Sequence, residues 1–201
     1  MSSSAPTASL PKLICLFRRN RRGSAAIEFA MVAPVFFMLL FAILETGIMF
    51  LADQVLETVT QESARMILTG QSQTGQLTAS EVSACNNPQA GALTQAEFKS
   101  CVCGEVPALL NCNNINVDVR SYSSFPALEA DLPNSCEIDS NGNLVTNNVQ
   151  YNTGGPGDIV MVRLFYEWPQ FVTRLGFNAS DLADGKRLLC ATAAFKNEPY
   201  Q

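Results

Sequence analysis

The peptide bond between Gly23 and Ser24 is the first place in this sequence where residue types and spacing predict chemistry. Four arginines lie shortly before it, and Glu28 follows five residues after the glycine, at the head of a long apolar run. Glycine has no side chain, so an extended backbone could enter a peptidase site at a membrane surface here. Cleavage would leave a new α-amino group on Ser24. The pattern therefore predicts a basic leader peptide that is removed after Gly23.

Glu28 is the second residue with predicted chemistry, because a carboxylate in a membrane helix needs a partner. Without one it is disfavoured by about 2.5–3.5 kcal/mol at the bilayer centre, and by less near the edge. The new amine of Ser24 would lie one helical turn away on the same chain. The amine of a neighbouring subunit could also pair with Glu28 in a filament and set the axial register. We therefore expect Gly23, Ser24, Glu28 and Phe29 to form a processing and assembly motif.

Two other interpretations of this end of the chain are open. In the first, the chain keeps a plain signal anchor, and the arginines only set its orientation. In the second, a secretory signal peptide is removed near Ala52. This second interpretation is less favourable because Phe50 stands where a small residue is wanted. The apolar stretch is also longer than the ~7–15 residues usual in such peptides.

The cysteines predict disulfide bonds in a domain beyond the apolar run. An even number of cysteines in an exported domain is typical of disulfides, and the sequence does not select among the possible pairings. The pairing that we favour joins Cys103 to Cys112 and closes a short loop containing Pro107. Several free buried thiols are the alternative. The candidates are Cys85, Cys101, Cys103, Cys112, Cys136 and Cys190, whereas Cys15 precedes the apolar run.

The spacing Cys101-Val102-Cys103 raises a rival function, that of an anchored thiol-disulfide oxidoreductase. Redox work needs an exposed thiolate with a lowered pKa, and no basic residue except Lys99 closely flanks the pair. Structural disulfides to other cysteines explain the spacing better. Other enzyme classes are disfavoured because the chain has no histidine, which excludes Ser-His and Cys-His nucleophile pairs and mixed Cys/His zinc sites. We expect no catalytic residue, no metal and no cofactor.

The charge distribution predicts how the chain crosses a membrane. Residues 1–23 carry five basic and no acidic side chains, whereas residues 24–201 carry 8 basic and 18 acidic ones. The apolar stretch from Phe29 to Ala52 is long enough to cross a hydrocarbon core of roughly 30 Å. The basic end should stay in the cytoplasm and the acidic remainder should be exported. An acidic domain of this kind has no electrostatic reason to bind nucleic acid.

The apolar periodicity predicts an α+β fold on a long helix over residues 25–69, which ends at Gly70. Capping boxes at Thr78 and Thr94 predict two short helices, and the polar residues Gln71 to Gln76 predict a linker. Alternating apolar residues predict three strands, which should form a small antiparallel sheet over the outer part of the helix. The strands are expected at 115–119, 159–166 and 188–195, with a loop at 134–157, a turn at Asn141-Gly142 and a short helix at 174–182. The expected organisation is a leader at 1–23, a transmembrane helix at 24–52, its extension at 53–70 and a disulfide-containing periplasmic domain at 71–201.

The chain resembles the TadE-like family of proteins of the tight-adherence (Flp) pilus system. The resemblance is dense before residue 70 and looser at 71–110. It is carried by residues 21–30 (Arg-Arg-Gly-Ser-Ala-Ala-Ile-Glu-Phe-Ala), Ala33-Pro34, Glu45-Thr46-Gly47, Glu62-Ser63-Ala64-Arg65, Thr69-Gly70, 116–122, 156–162, 166–169 and Asn197-Glu198-Pro199-Tyr200.

The resemblance implies a minor pseudopilin that is cut by a prepilin peptidase at Gly23 and Ser24, with Glu28 and Phe29 in the matched motif. The implied partners are that peptidase, other pilins and pseudopilins, the pilus assembly platform and membrane lipid. The implied location is the bacterial inner membrane, crossed once, with the C-terminal domain in the periplasm and incorporation into a surface pilus left open. Major pilins of this type are very short and usually have tyrosine after the glutamate. Phe29 and the long exported domain therefore favour a minor component, and an uncleaved anchored binding or scaffold protein is the alternative.

Overall fold

A computed structural model describes residues 23–86, 88, 91–106, 109–131, 138–145, 148–170 and 180–200. The chain divides into two compact units, Met1–Ile43 and Leu44–Gln201. Helix α1, Ser24–Leu68, belongs to both units and confirms the long helix predicted for residues 25–69.

The part of α1 in the first unit is apolar on all sides and uncovered. Its large side chains are exposed all round the helix, including Phe29 at 68%, Met31 at 75% and Ile43 at 71%. A helix that is hydrophobic on every side is typical of one surrounded by apolar material. Among the described residues, α1 is the one helix long and apolar enough to cross a membrane.

The part of α1 in the second unit is buried on one side only. Ala52, Leu56 and Ile67 are each 0% exposed and belong to the main core cluster. The small polar residues on this face are also buried, and each bonds to its own helix. Thr60 Oγ1 donates to Leu56 O at 2.7 Å, and Ser63 Oγ donates to Val59 O at 2.7 Å. These two hydroxyl groups are therefore hydrogen-bonded although they are buried.

Three short helices follow α1. They are α2 (Gln71–Thr74), α3 (Ala79–Ala84) and α4 (Gln95–Glu105). Both predicted capping boxes are present: the side chains of Thr78 and Thr94 cap α3 and α4, and each box is completed by a glutamate three residues on. The linker predicted for Gln71 to Gln76 is wrong for residues 71–74. Gly70 and Gly75, both with positive φ, flank this single helical turn, and its Ser72 is buried.

Three strands form the predicted antiparallel sheet in the order β1-β2-β3. They are β1 (Ile115–Tyr122), β2 (Ile159–Trp168) and β3 (Arg187–Lys196), each longer than predicted. Val162 lies opposite Val119 on one side and Ala193 on the other. Alternate residues of β1 and β2 share the core cluster with α1, as predicted for a sheet that covers the outer part of the helix.

Helix α5, Phe125–Asp131, packs on the opposite face of the sheet. Its Leu128 forms a second small core with Ile159 and Met161. No apolar periodicity in the sequence predicts this helix. Ser124 before it and Pro126 in its first turn are, however, residues that are common at helix starts.

The loops agree with the predictions where they are described. In the described parts of 134–157, the backbone forms turns and isolated bridges, and Gly142 N–H donates to Asp139 O at 2.9 Å in the predicted turn. Most of the helix predicted at 174–182 lies outside the described residues, and 180–182 are not helical.

Two disulfide bonds join four of the five described cysteines. Cys103 is bonded to Cys112, which confirms the favoured pairing, and Cys85 is bonded to Cys101. Cys190 is also disulfide-bonded. The alternative of free buried thiols is therefore wrong for these five cysteines, while Cys15 and Cys136 lie outside the described residues.

Candidate functional site

Gly23 directly precedes α1 and has no packing role that requires a glycine. A Cβ built there would meet no atom within 4 Å among the described residues. The same holds for Gly47, farther along α1. Among the described residues, therefore, no side-chain contact requires a glycine at position 23.

Ser24 and Glu28 lie one helical turn apart, because α1 begins at Ser24. The Glu28 side chain is exposed, and so is that of its neighbour Phe29. The helix thus places the carboxylate on its surface in the same turn as the backbone nitrogen that cleavage after Gly23 would release. This arrangement can form an ion pair within one chain or between two chains.

The surroundings of α1 change between Leu51 and Ala52. Leu51 is 59% exposed and Phe50 is 63% exposed, whereas Ala52 and Leu56 are fully buried. The helix therefore has uncovered apolar side chains as far as residue 51, apart from Met49, which is partly buried against the core, and a fully buried core face from residue 52 onward. This change coincides with the end of the apolar stretch in the sequence.

A comparison with protein families identifies a relationship for most of α1 and the glycine before it. Residues 23–65 match the family model of TadE-like proteins. The TadE-like match begins at the glycine of the proposed cleavage site and ends inside the core-facing half of α1, which confirms the resemblance for this part of the chain. It suggests involvement in the tight-adherence (Flp) pilus system. No curated protein and no solved structure matches the chain.

Five of the segments that carry the resemblance lie beyond the TadE-like match, and the structure brings parts of three of them together. They are Thr69-Gly70, Pro156-Gly157-Asp158 and the C-terminal residues 197–200. Glu198 N–H donates to Leu68 O at 3.0 Å, and Asn197 N–H donates to Asp158 O at 2.8 Å. We call this contact of residues 197–200 with the end of α1 and residues 153–158 the C-terminal clasp. No local pattern in the sequence predicts it.

Tyr200 and Asn197 anchor the C-terminal clasp. The Tyr200 ring lies against Gly70, where a Cβ would collide with it, and its hydroxyl donates to Gly154 O at 3.3 Å. Burial and the nearby Asp158 carboxylate raise the pKa of Tyr200. The Asn197 side-chain amide donates to Thr153 O at 2.9 Å and to Gly155 O at 3.0 Å. The clasp thus ties the chain end to the end of α1 and to the loop before β2.

A buried charge network lies on the face of the sheet that carries α5. Asp118 and Arg163 are partners across β1 and β2, and each side chain is 1% exposed. Arg163 Nε donates to Asp118 Oδ2 at 2.9 Å, and Gln150 N–H donates to Asp118 Oδ1 at 2.7 Å. Arg120 bridges the carboxylates of Asp118 and Asp131. A pair this deeply buried can hold the strands together but cannot reach a substrate.

Tyr122 extends this network to the domain surface. Its hydroxyl donates to the Asp131 carboxylate. Burial and this hydrogen bond raise the pKa of Tyr122 to about 12. The hydrogen bond from Tyr122, together with Arg120, lowers the pKa of Asp131. Both pKa shifts favour the state in which Tyr122 is protonated and Asp131 is ionised, which is the state that forms this hydrogen bond.

The Cys101-Val102-Cys103 segment does not form a bridge of its own. Cys101 and Cys103 are bonded to Cys85 and Cys112, respectively. The pair is therefore not arranged as the dithiol of a redox couple in this structure. Among the residues that the structure describes, no group of three or more His, Cys, Asp or Glu residues could hold a metal ion.

Proposed function

We propose that the chain is a minor pilin or pseudopilin that contributes to the biogenesis of a tight-adherence (Flp) pilus. In this proposal a prepilin peptidase cleaves the chain between Gly23 and Ser24. The observation that carries the proposal is the TadE-like match over residues 23–65, which begins at the glycine and includes the exposed Glu28. It is further supported by Gly23, where no contact with another described residue requires a glycine.

The proposal assigns a role to each part of the chain. Residues 1–23 form the cytoplasmic leader, 24–52 cross the inner membrane, 53–70 extend the helix, and 71–201 form the periplasmic domain. The change from exposed to buried apolar side chains between Leu51 and Ala52 supports the boundary. The basic leader supports the orientation. The length of the exported domain supports a minor component over a bulk filament subunit.

Glu28 has the central role in assembly. Its carboxylate would pair with the α-amino group of Ser24 on a neighbouring pilin, which offsets the cost of a charge at the head of an apolar helix. Membrane lipid, other pilins and the pilus assembly platform are the further partners in this proposal. Phe29 would contribute apolar contact surface beside the carboxylate.

Intact mass tests the cleavage with a matched pair of glycines. The membrane-extracted protein should begin at Ser24, and Gly23→Val should retain the leader and its full mass. Gly47→Val is the control, because both glycines leave a new Cβ without a contact. A Gly23→Val protein that is processed like the control would remove the peptidase from the proposal. An intact leader on the wild-type protein in piliated cells would favour the anchored scaffold instead.

Replacement of Glu28 separates assembly from cleavage. Glu28→Ala should still be cut after Gly23, but pilus output should fall. Glu45→Ala, a second carboxylate on the same helix, serves as the control and should leave output closer to wild type. Shed pili are measured together with the mass of the membrane-bound protein. Wild-type pilus output from both the Gly23→Val and Glu28→Ala strains would overturn the pilus assignment.

A further inference from the structure

The disulfide bonds Cys85–Cys101 and Cys103–Cys112 differ in their access to solvent. Cys85 and Cys101 are each 2% exposed and belong to the main core cluster. Cys103 and Cys112 are half-buried, so part of each residue faces solvent. Thiol-disulfide exchange needs a thiolate to reach one sulfur of the bond. In the folded domain, an external thiolate can therefore approach Cys103–Cys112 but not Cys85–Cys101.

We propose that Cys103–Cys112 is a thiol-disulfide exchange site at which a dithiol/disulfide protein acts on the already folded domain. Cys85–Cys101, in contrast, must form before the core closes. The two bonds thus have a fixed order, in which the buried one is made during folding and the half-buried one is made, or later opened, on the folded surface.

The packing of α3 and α4 explains why the domain can fold without Cys103–Cys112. Phe98 and Val102 of α4 are 0% and 1% exposed in the core. Gly104 lies so close to Ala84 O that a Cβ would collide with it, which shows a close crossing of the two helices beside Cys85–Cys101. Cys103 lies in the last turn of α4, between Val102 and Gly104, and is half-buried. The contacts named above are made by other residues, so we expect them to persist when its bond is opened.

The exchange balances as a transfer of two electrons. A thiolate of the partner attacks the sulfur of Cys103, the bond between Cys103 and Cys112 breaks, and Cys112 leaves as a thiolate that takes a proton from water. The second thiol of the partner then attacks the mixed disulfide and releases Cys103. The partner dithiol is oxidised to a disulfide while Cys103–Cys112 is reduced. Formation of the bond is the reverse, with the disulfide of the partner as oxidant.

The position of the two sulfurs decides which one leaves. Cys103 lies in the last turn of the eleven-residue helix α4, where the partial negative charge of the helix end disfavours a thiolate. Cys112 lies outside that helix. Since the more stable thiolate is the better leaving group, Cys112 leaves when the bond is opened and attacks when the bond is made.

Differential labelling of the full-length protein tests the order. The protein is extracted in detergent, treated with dithiothreitol under native conditions, quenched with acid, alkylated and mapped by peptide mass. We expect Cys103 and Cys112 to be labelled at least about tenfold faster than Cys85 and Cys101, because the buried bond reacts only when the domain opens. The difference should vanish in denaturant. Equal native rates, or earlier labelling of Cys85 and Cys101, would overturn the proposal.

A cysteine variant tests the folding claim, and a trapped mixed disulfide tests the direction of attack. A double variant, Cys103→Ser with Cys112→Ser, should keep the circular dichroism of the wild type and an intact Cys85–Cys101 bond. Loss of either would contradict the claim that the domain folds first. With reduced glutathione as the probe, the mixed disulfide formed on opening the wild-type bond is trapped with acid and mapped by peptide mass. It should lie on Cys103, because Cys112 is the sulfur that leaves. A mixed disulfide mainly on Cys112 would overturn this assignment.

Discussion

Helix α1 has two stretches with different surfaces, and comparing them shows where its sequence must be specific. Between Ser24 and Leu51, α1 exposes most of its large apolar side chains and only Met49 packs partly against the core, whereas from Ala52 to Leu68 the helix buries one face in that core. At most positions of the first stretch, one large apolar side chain can replace another, so only a few positions need a specific residue. In the second stretch, each buried side chain must fit the shape of its neighbours in the core.

The two regions also treat a carboxylate differently. Asp118 in the domain is 1% exposed and is matched inside the chain by Arg163, Arg120 and the Gln150 amide. Glu28 is exposed on an apolar helix surface. The domain thus balances its buried charge when it folds, whereas in our proposal the membrane helix balances its charge through cleavage and assembly. The predictions below test this contrast.

The largest expected effect is on the buried ion pair. Asp118→Ala should lower the free energy of unfolding by about 3–5 kcal/mol, because it leaves the Arg163 guanidinium buried without its carboxylate. Glu62→Ala removes an exposed partner of Arg65 and should cost at most about 1 kcal/mol. Denaturant unfolding of the extracted protein measures both. Similar losses from the two variants would show that the buried network does not hold the sheet.

A matched pair of leucines on α1 tests the two surfaces directly. Leu56→Ala should cost about 2–5 kcal/mol of unfolding free energy, because it opens a cavity at a residue that is 0% exposed. Leu51→Ala changes the same atoms five residues earlier, at a side chain that is 59% exposed, and should hardly affect the domain. If Leu51→Ala were as costly as Leu56→Ala, the boundary at Ala52 would be misplaced.

The elements predicted from the sequence are those with local causes. The helix period of α1, the two capping boxes and the alternation of the three strands depend only on nearby residues, and all three are confirmed. The strand pattern placed Asp118 between apolar residues as a polar position. Its burial depends on the pairing of β1 with β2 and on Arg163, which is 45 residues away.

The parts that sequence reasoning missed depend on contacts between distant segments. Residues 71–74 were predicted as linker because they are polar, yet Ser72 O accepts a hydrogen bond from Leu93 N–H at 2.8 Å, which fixes that turn against the domain. The C-terminal clasp joins segments around residues 70, 155 and 198. Neither contact has a local sequence signal, because the partners are brought together only by the tertiary fold.

A smaller effect is expected at the C-terminal clasp. Gly70 has φ +79°, and a Cβ there would collide with the Tyr200 ring, so Gly70→Ala should cost about 1–3 kcal/mol of unfolding free energy. Gly47→Ala meets no atom within 4 Å and should be close to neutral. In a Tyr200→Ala background the collision is absent, so there Gly70→Ala should cost only the backbone strain. A double variant with additive losses would contradict the ring contact.

The smallest expected effect is at Tyr122, where the size of the effect depends on pH. Tyr122→Phe removes the hydrogen bond to Asp131 and should cost about 1 kcal/mol of unfolding free energy at neutral pH.

Because folding raises the pKa of Tyr122 to about 12, the contribution of Tyr122 to stability is complete below the unfolded pKa of about 10 and is lost as the pH rises toward 12. Folding lowers the pKa of Asp131, so that contribution is complete above about pH 4 and is lost at lower pH. The unfolding free energies of wild type and Tyr122→Phe should therefore differ most between these limits and converge on both sides. A difference that stays constant from acid to alkaline pH would mean that the Tyr122 ring, and not its hydroxyl, stabilises the fold.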